Sequence, residues 1–400
     1  FELAHENVLK VAIETPILKS NYLTKFTGTD VYLKCENLQR TGAYKLRGAY
    51  NRMSKLTAAE RKKGVVAASA GNHAQGVALA ARKLGIKATI FMPVGASLPK
   101  LQATENYGAE VVLTGAVFAE TLKAAQEYSA KKGAIFIPPY DHLDVIAGQG
   151  TVGLEILEEL DDVDNILVAI GGGGLAAGVA TVAKLKAAAQ GRKIKVIGVQ
   201  AKNASPYVQS LKLGRPVEQQ ITRTIADGIA VSKPGAIPFA LIKKNIDKVV
   251  TVSDDEIAKA IVVLLERSKM VVEPAGAVGV AAIMSGAVKL KGKTVVILSG
   301  GNIDPLLLQK VVGHGLAAAE RYTSISVMLP DRPGMLVKTA EAIAAAHGNV
   351  VEVLHTRHGK GLEISEVELK MSVETTGHEH RQRVLKALQD AGLKARIDEE

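Results

Sequence analysis

Ile166-Leu167-Val168-Ala169-Ile170-Gly171-Gly172-Gly173-Gly174-Leu175 decides the fold. A continuous apolar run rich in β-branched residues is what a strand buried on both faces requires. Four glycines end it, and the alanine-rich residues 175–189 read as a helix. The same alternation recurs on either side. Strands are expected at 65–68, 88–92, 110–113, 134–137, 166–170, 196–199, 248–252 and 295–298. Helices are expected at 73–84, 117–132, 175–189 and 254–269. Strands alternating with helices argue for an open, mostly parallel α/β sheet, and the length accommodates two.

The pattern changes near Glu320. Residues 323–329 alternate as a strand, Asp331-Arg332-Pro333-Gly334 forms a turn, and 335–346 reads as a helix. Strands at 350–355 and 364–374, a helix at 379–391 and a short strand at 393–397 complete a βαββαβ order. That is a ferredoxin-like unit. No Gly-, Ser- or Pro-rich linker precedes it, so a tight boundary is expected near 316–322.

Composition narrows the function. The 400 residues are 47% hydrophobic and 22% charged, as in ordinary globular proteins. No run of about 18 apolar residues occurs, so no membrane partner is expected. The first residues, Phe1-Glu2-Leu3-Ala4-His5-Glu6, carry acids and no apolar segment, so no secretory leader is expected. One cysteine, Cys35, excludes an intramolecular disulfide and a multi-cysteine metal cluster. A cytoplasmic location fits. The net charge of +10 points to anionic partners. Its lysines and arginines are interleaved with acids, though, and an aromatic content of 4% without Trp is poor material for base stacking. No nucleic-acid partner is expected.

Four clusters carry chemistry. Lys45 follows Thr41-Gly42-Ala43-Tyr44 and opens a helical stretch. A lysine buried there has a lowered pKa and a nucleophilic amine suited to a Schiff base. The plainer reading is a surface lysine. Ser69-Ala70-Gly71-Asn72-His73 ends a strand and opens a helix, whose free N–H groups attract a carboxylate. The plainer reading is an ordinary N-cap. Gly171, Gly172, Gly173, Gly174 and Leu175 let the backbone wrap a phosphate. The same run approaches a dinucleotide fingerprint, but no Asp or Glu occurs from 165 through 217 to hold a ribose. Ser299, in Leu298-Ser299-Gly300-Gly301-Asn302, ends the last parallel strand, where ligands of open sheets gather.

In this order the clusters resemble the threonine and serine dehydratases of the tryptophan-synthase-β type of pyridoxal-phosphate enzyme. The resemblance covers about residues 6–319. Ala147-Gly148-Gln149-Gly150-Thr151, Ala226-Asp227-Gly228-Ile229 and Val272-Glu273-Pro274-Ala275-Gly276 share in it. The final 80 residues resemble an ACT domain, with residues 331–334 as the signature loop.

The resemblance implies fold type II, with a catalytic domain over 1–320 and an ACT domain over 321–400. A small subdomain at about 48–145 is inserted between 1–47 and 146–320. It implies that pyridoxal 5'-phosphate is bonded to Lys45, which later takes the α-proton. Tyr44 flanks the cofactor, Asn72 bonds its ring hydroxyl, residues 171–175 hold its phosphate and Ser299 faces its ring nitrogen. Ser69, Ala70, Gly71, Asn72 and His73 grip the substrate carboxylate. Implied partners are a small amino acid as substrate, an amino-acid effector at the ACT domain and further copies of the chain in a dimer or tetramer.

Three positions depart from the family pattern. Ala43 stands where Ser is common. Ala70 stands where related serine racemases carry a proton-bearing serine, which favours elimination over racemisation. No acid follows the strand at 196–199, so no divalent-metal site is expected there. The expected activity is deamination of L-threonine to 2-oxobutanoate and ammonia, with some serine deamination. The alternatives are a serine racemase/dehydratase, a β-replacing enzyme of the same fold, or a non-catalytic amino-acid sensor.

Overall fold

The computed structural model describes residues 1–160, 162–357 and 362–398. It divides into two compact units, 1–308 and 309–400. Among the described residues it has fourteen strands, β1 to β14 in chain order.

The first unit holds two sheets. β1 (Ile17–Lys19), β2 (Val31–Lys34), β7 (Asn165–Ala169), β8 (Lys195–Ala201), β9 (Lys248–Val252) and β10 (Thr294–Ile297) form a six-stranded sheet in the order β1-β2-β10-β7-β8-β9. Every pairing in it is parallel except β1 with β2. β3 (Val65–Ala68), β4 (Ala88–Met92), β5 (Glu110–Leu113) and β6 (Ile135–Phe136) form a parallel sheet in the order β5-β4-β3-β6. β3, β4, β7 and β10 are buried along their whole length, which accounts for their unbroken apolar character.

The second unit holds β11 (Tyr322–Pro330), β12 (Asn349–Thr356), β13 (Glu366–Glu374) and β14 (Lys394–Ile397), antiparallel in the order β12-β13-β11-β14. Helices Met335–Ala345 and His378–Asp390 complete the βαββαβ order. Val367, Leu369, Met371 and Val373 of β13 share a core with Ile325, Val327, Ile343, Val384 and Leu388. The expected strand at 364–374 begins two residues late. The Glu366 N–H bonds back to the Glu363 carbonyl in a turn, which leaves Ile364 fully exposed.

One helix also differs from expectation. Ser253 and Glu256 cap each other's backbone N–H and open the helix Asp254–Val263. The chain then widens into a π turn, Leu264–Ser268, which Lys269 closes at φ 57°. The wider turn seats buried Met270 beside Cys35 and presents the Val271 carbonyl to Asn37.

A buried ion network fixes the helix Lys45–Ser54. Arg47 meets Glu36 through two bonds of 2.8 Å, and meets Glu155 at 2.5 and 2.9 Å. Lys34 of β2 reaches Glu155 at 2.6 Å and the Thr15 carbonyl at 2.7 Å. Two cations therefore face two carboxylates, with hydroxyls of Thr15 and Thr151 filling remaining sites. Residues two apart on a helix point away from each other. Arg47 therefore anchors one side of the helix and turns Lys45 to another. Gly48 and Gly148 let this helix cross Leu143–Glu159 backbone to backbone: a Cβ on Gly148 would lie 2.6 Å from the Arg47 carbonyl.

Replacing Arg47 by Leu should lower stability by about 3–5 kcal/mol, because buried Glu36 loses its counter-charge and Glu155 is left with Lys34 alone. Urea unfolding of the full chain checks this. A loss below about 1 kcal/mol, the scale of an exposed pair, would contradict it.

Candidate active site

Residues 42–44 pair with residues 299–301 just before the helix that Lys45 opens. The Tyr44 N–H donates to the Ser299 carbonyl at 3.2 Å, Ala43 bridges Gly300, and the Gly301 N–H donates to the Gly42 carbonyl at 2.8 Å. This short pairing seats buried Ser299, just past β10, against the segment that carries Lys45.

The Lys45 amine donates to the Pro139 carbonyl at 2.9 Å and lies 5.3 Å from the centroid of the Tyr44 ring. Burial lowers its pKa to about 8, against the opposing attraction of Glu273. The residue after Pro139 is Tyr140, whose ring abuts the glycine turn. A Cβ on Gly172 would fall 2.3 Å from that ring. One dipeptide thus touches the amine through its first residue and the turn through its second.

Gly173 sits at φ 101° and caps the helix Gly174–Ala189. The Gly172 carbonyl is held from behind by the Tyr207 hydroxyl at 3.0 Å and the Gly235 N–H at 3.2 Å. The first N–H groups of a helix have no partner within it. A backbone cradle of this kind fits a phosphate, and the desolvated amine beside it fits an aldehyde.

Asn72 joins the two sheets. Its amide donates to Glu273 at 2.6 Å and accepts from Asn302 at 2.9 Å, and Asn302 also donates to the Thr41 carbonyl at 2.7 Å. Burial pushes the Glu273 carboxyl up to about 7, with Lys100 drawing it down and Asp227 pushing it up. Ser69 stays with the loop, accepting from the Gly71 N–H at 3.1 Å, and Ala70 presents an exposed methyl group. His73 turns inward instead. Its Nε2 bonds the Ile137 carbonyl at 2.9 Å, and burial holds its pKa down at about 3, so the ring is neutral.

The structure thus brings together Lys45, Tyr44, Ser299, Asn72 and the glycine turn, and sends the His73 side chain into the core. Sequence reasoning gave no role to Glu273, Lys100, Asp227, Asn302, Tyr140 or Tyr207. Glu273 and Asp227 lie in the quoted motifs at 272–276 and 226–229. Lys100 carries no local signal at all.

The amine of Lys45 attacks only when unprotonated, so its reactivity rises with pH through about 8. Uptake of pyridoxal phosphate by cofactor-free protein should accelerate about tenfold between pH 7 and pH 9 and then level off. Stopped-flow absorbance checks this. A rate still climbing tenfold per pH unit above pH 9 would mean an ordinary lysine.

A family model described as pyridoxal-phosphate dependent enzyme matches residues 8–301, and the ACT domain model matches 323–393. L-threonine ammonia-lyase of Geobacter sulfurreducens is 47% identical over 390 residues, 97% of this chain and 96% of the relative. L-threonine ammonia-lyase of Thermotoga maritima is 44% identical over 395 residues, 98% of this chain and 97% of the relative. The processed form of threonine deaminase isoform 2 from Solanum lycopersicum superposes with a TM-score of 0.74 at 40% identity, covering 78% of this chain and 92% of that one.

Proposed function

Because the chain belongs to the pyridoxal-phosphate-dependent enzymes and carries an ACT domain, we propose that it deaminates L-threonine to 2-oxobutanoate and ammonia under control of an amino-acid effector. One observation carries the reading: the amine of Lys45 is desolvated and lies one dipeptide from the glycine turn. Relatives named for this activity, similar over nearly the full length, support it.

Bound pyridoxal phosphate supplies an aldehyde for the substrate amine and a conjugated ring that takes up charge. In this reading Lys45 holds it, residues 171–175 hold its phosphate, Asn72 meets its ring hydroxyl, Tyr44 flanks it and Ser299 faces its ring nitrogen. A serine hydroxyl does not impose a proton on that nitrogen as a carboxylate would, which leaves loss of the β-hydroxyl competitive with reprotonation. Ser69, Ala70, Gly71, Asn72 and the backbone at His73 orient the substrate carboxylate. The freed Lys45 amine would remove the α-proton, the β-hydroxyl would take up one proton and leave as water, and the released enamine would add water to give 2-oxobutanoate and ammonia. Ala70 offers no proton to the other face of the substrate, which sets racemisation aside.

The catalytic part is taken as 1–320, with a smaller subdomain at about 48–145, and the regulatory part as 321–400. Serine lacks one methyl group, worth about 1–3 kcal/mol in a pocket, so it is deaminated less efficiently. Isoleucine or valine is the proposed effector, the assembly a dimer or tetramer, and the location cytoplasmic. Among the described residues no helix is long and apolar enough to cross a membrane.

Holoenzyme given L-threonine alone should release 2-oxobutanoate and ammonia in equal amounts with no added thiol, and Lys45→Ala should lose at least about a thousandfold of that rate. Unchanged turnover by the variant would refute the assignment. Isoleucine or valine should shift the threonine dependence by about 5- to 150-fold, the usual range of allosteric coupling. A threonine response indifferent to both would remove the effector assignment.

A further inference from the structure

Lys100 has no part in the chemistry above, yet its surroundings are those of a site residue. Its side chain is only 15% exposed, unusual for lysine. Its helix, Leu98–Asn106, is anchored at the start, where the Ser97 hydroxyl donates to Asp304 at 3.0 Å. The ammonium lies 3.5 Å from the point where a Cβ on Gly71 would sit, directly over the loop that carries Ser69 and Asn72. Asp227 holds it from the other side at 3.2 Å.

The charges in this corner leave a place for one more anion. An ammonium has three donors, and Asp227 occupies one. Asp227 is 59% exposed, so its pairing with Lys100 is weak and an arriving anion can share the cation. The loop offers only neutral N–H and side-chain dipoles. An amino acid that bonds through its amine presents a net negative carboxylate there. Lys45 is engaged in the covalent step and Glu273 repels, so the compensating charge must come from elsewhere. The field of Lys100 already reaches the floor of the loop, where it is the strongest influence drawing the Glu273 carboxyl down.

Resting on the reading of residues 69–73 as the carboxylate loop, we propose that Lys100 supplies the positive charge that recognises the substrate carboxylate, with Asp227 holding its ammonium over Gly71. Lys100 is then a substrate-binding residue that selects α-amino acids over amines and amides. It acts on ground state and transition state alike, so its loss falls on KM more than on kcat.

The experiment uses holoenzyme with L-threonine and L-threoninamide, which share the amine and differ in charge at the carboxyl position. Binding is read from the change in visible absorbance of the cofactor. Lys100→Met should weaken L-threonine about 10- to 100-fold, the scale of a lost charge-assisted hydrogen bond, and threoninamide less than about threefold. Lys100→Arg should restore L-threonine to within about fivefold. Equal losses for both probes would make Lys100 structural, and no loss for either would make it irrelevant; both outcomes overturn the proposal. The unmodified protein gives a check independent of folding: indifference between the two probes would also overturn it. A holoenzyme that binds with these preferences but releases no 2-oxobutanoate would fail the functional reading instead.

Discussion

An amine kept away from water is the constraint on which the rest of this structure depends. A lysine ammonium in water is neither nucleophile nor base at neutral pH. Packing takes the hydration of Lys45 away and returns one neutral acceptor, the Pro139 carbonyl, which brings its pKa down to about 8. Glu273 pulls the other way, but its own burial holds its carboxyl near neutrality, which weakens that pull. Two buried groups of opposite sign thus moderate each other, and the Asn72 amide donates to the acidic one.

Holding a helix so that its first side chain faces the Pro139 carbonyl needs torque from its other side. The pair of two-pronged contacts from Arg47 to Glu36 and Glu155 supplies it, and Lys34 completes the charge balance. The glycine contact between Gly48 and Gly148 sets the distance. Charge fixes rotation and missing side chains fix approach. The same division operates at residues 171–174, where absent Cβ atoms admit the Tyr140 ring and hydrogen bonds from Tyr207 and Gly235 fix the Gly172 carbonyl.

Much of this was legible in the chain. β3, β4 and β7 announced themselves because burial on both faces demands unbroken apolar runs, and the glycine turn because nothing else allows that backbone. Other parts were hidden for physical reasons. β2 carries Lys34, whose charge masks a buried strand until Glu155, far along the sequence, is seen beside it. The π turn at 264–268 obeys helical periodicity until Met270 must reach Cys35. Asn72 and Glu273 are 201 positions apart, and Lys100 and Asp227 are 127 apart. Only tertiary folding makes such pairs, and no local pattern records them. His73 stands in the loop at 69–73, and its ring turns to the Ile137 carbonyl, as a structural histidine does.

The identity of the cofactor-bearing lysine tests the account most directly. Borohydride reduction of the holoenzyme makes the cofactor–lysine bond permanent, and peptide mass mapping then locates the added pyridoxyl phosphate. The account predicts one modified site, Lys45. Modification at another lysine with Lys45 untouched would contradict it.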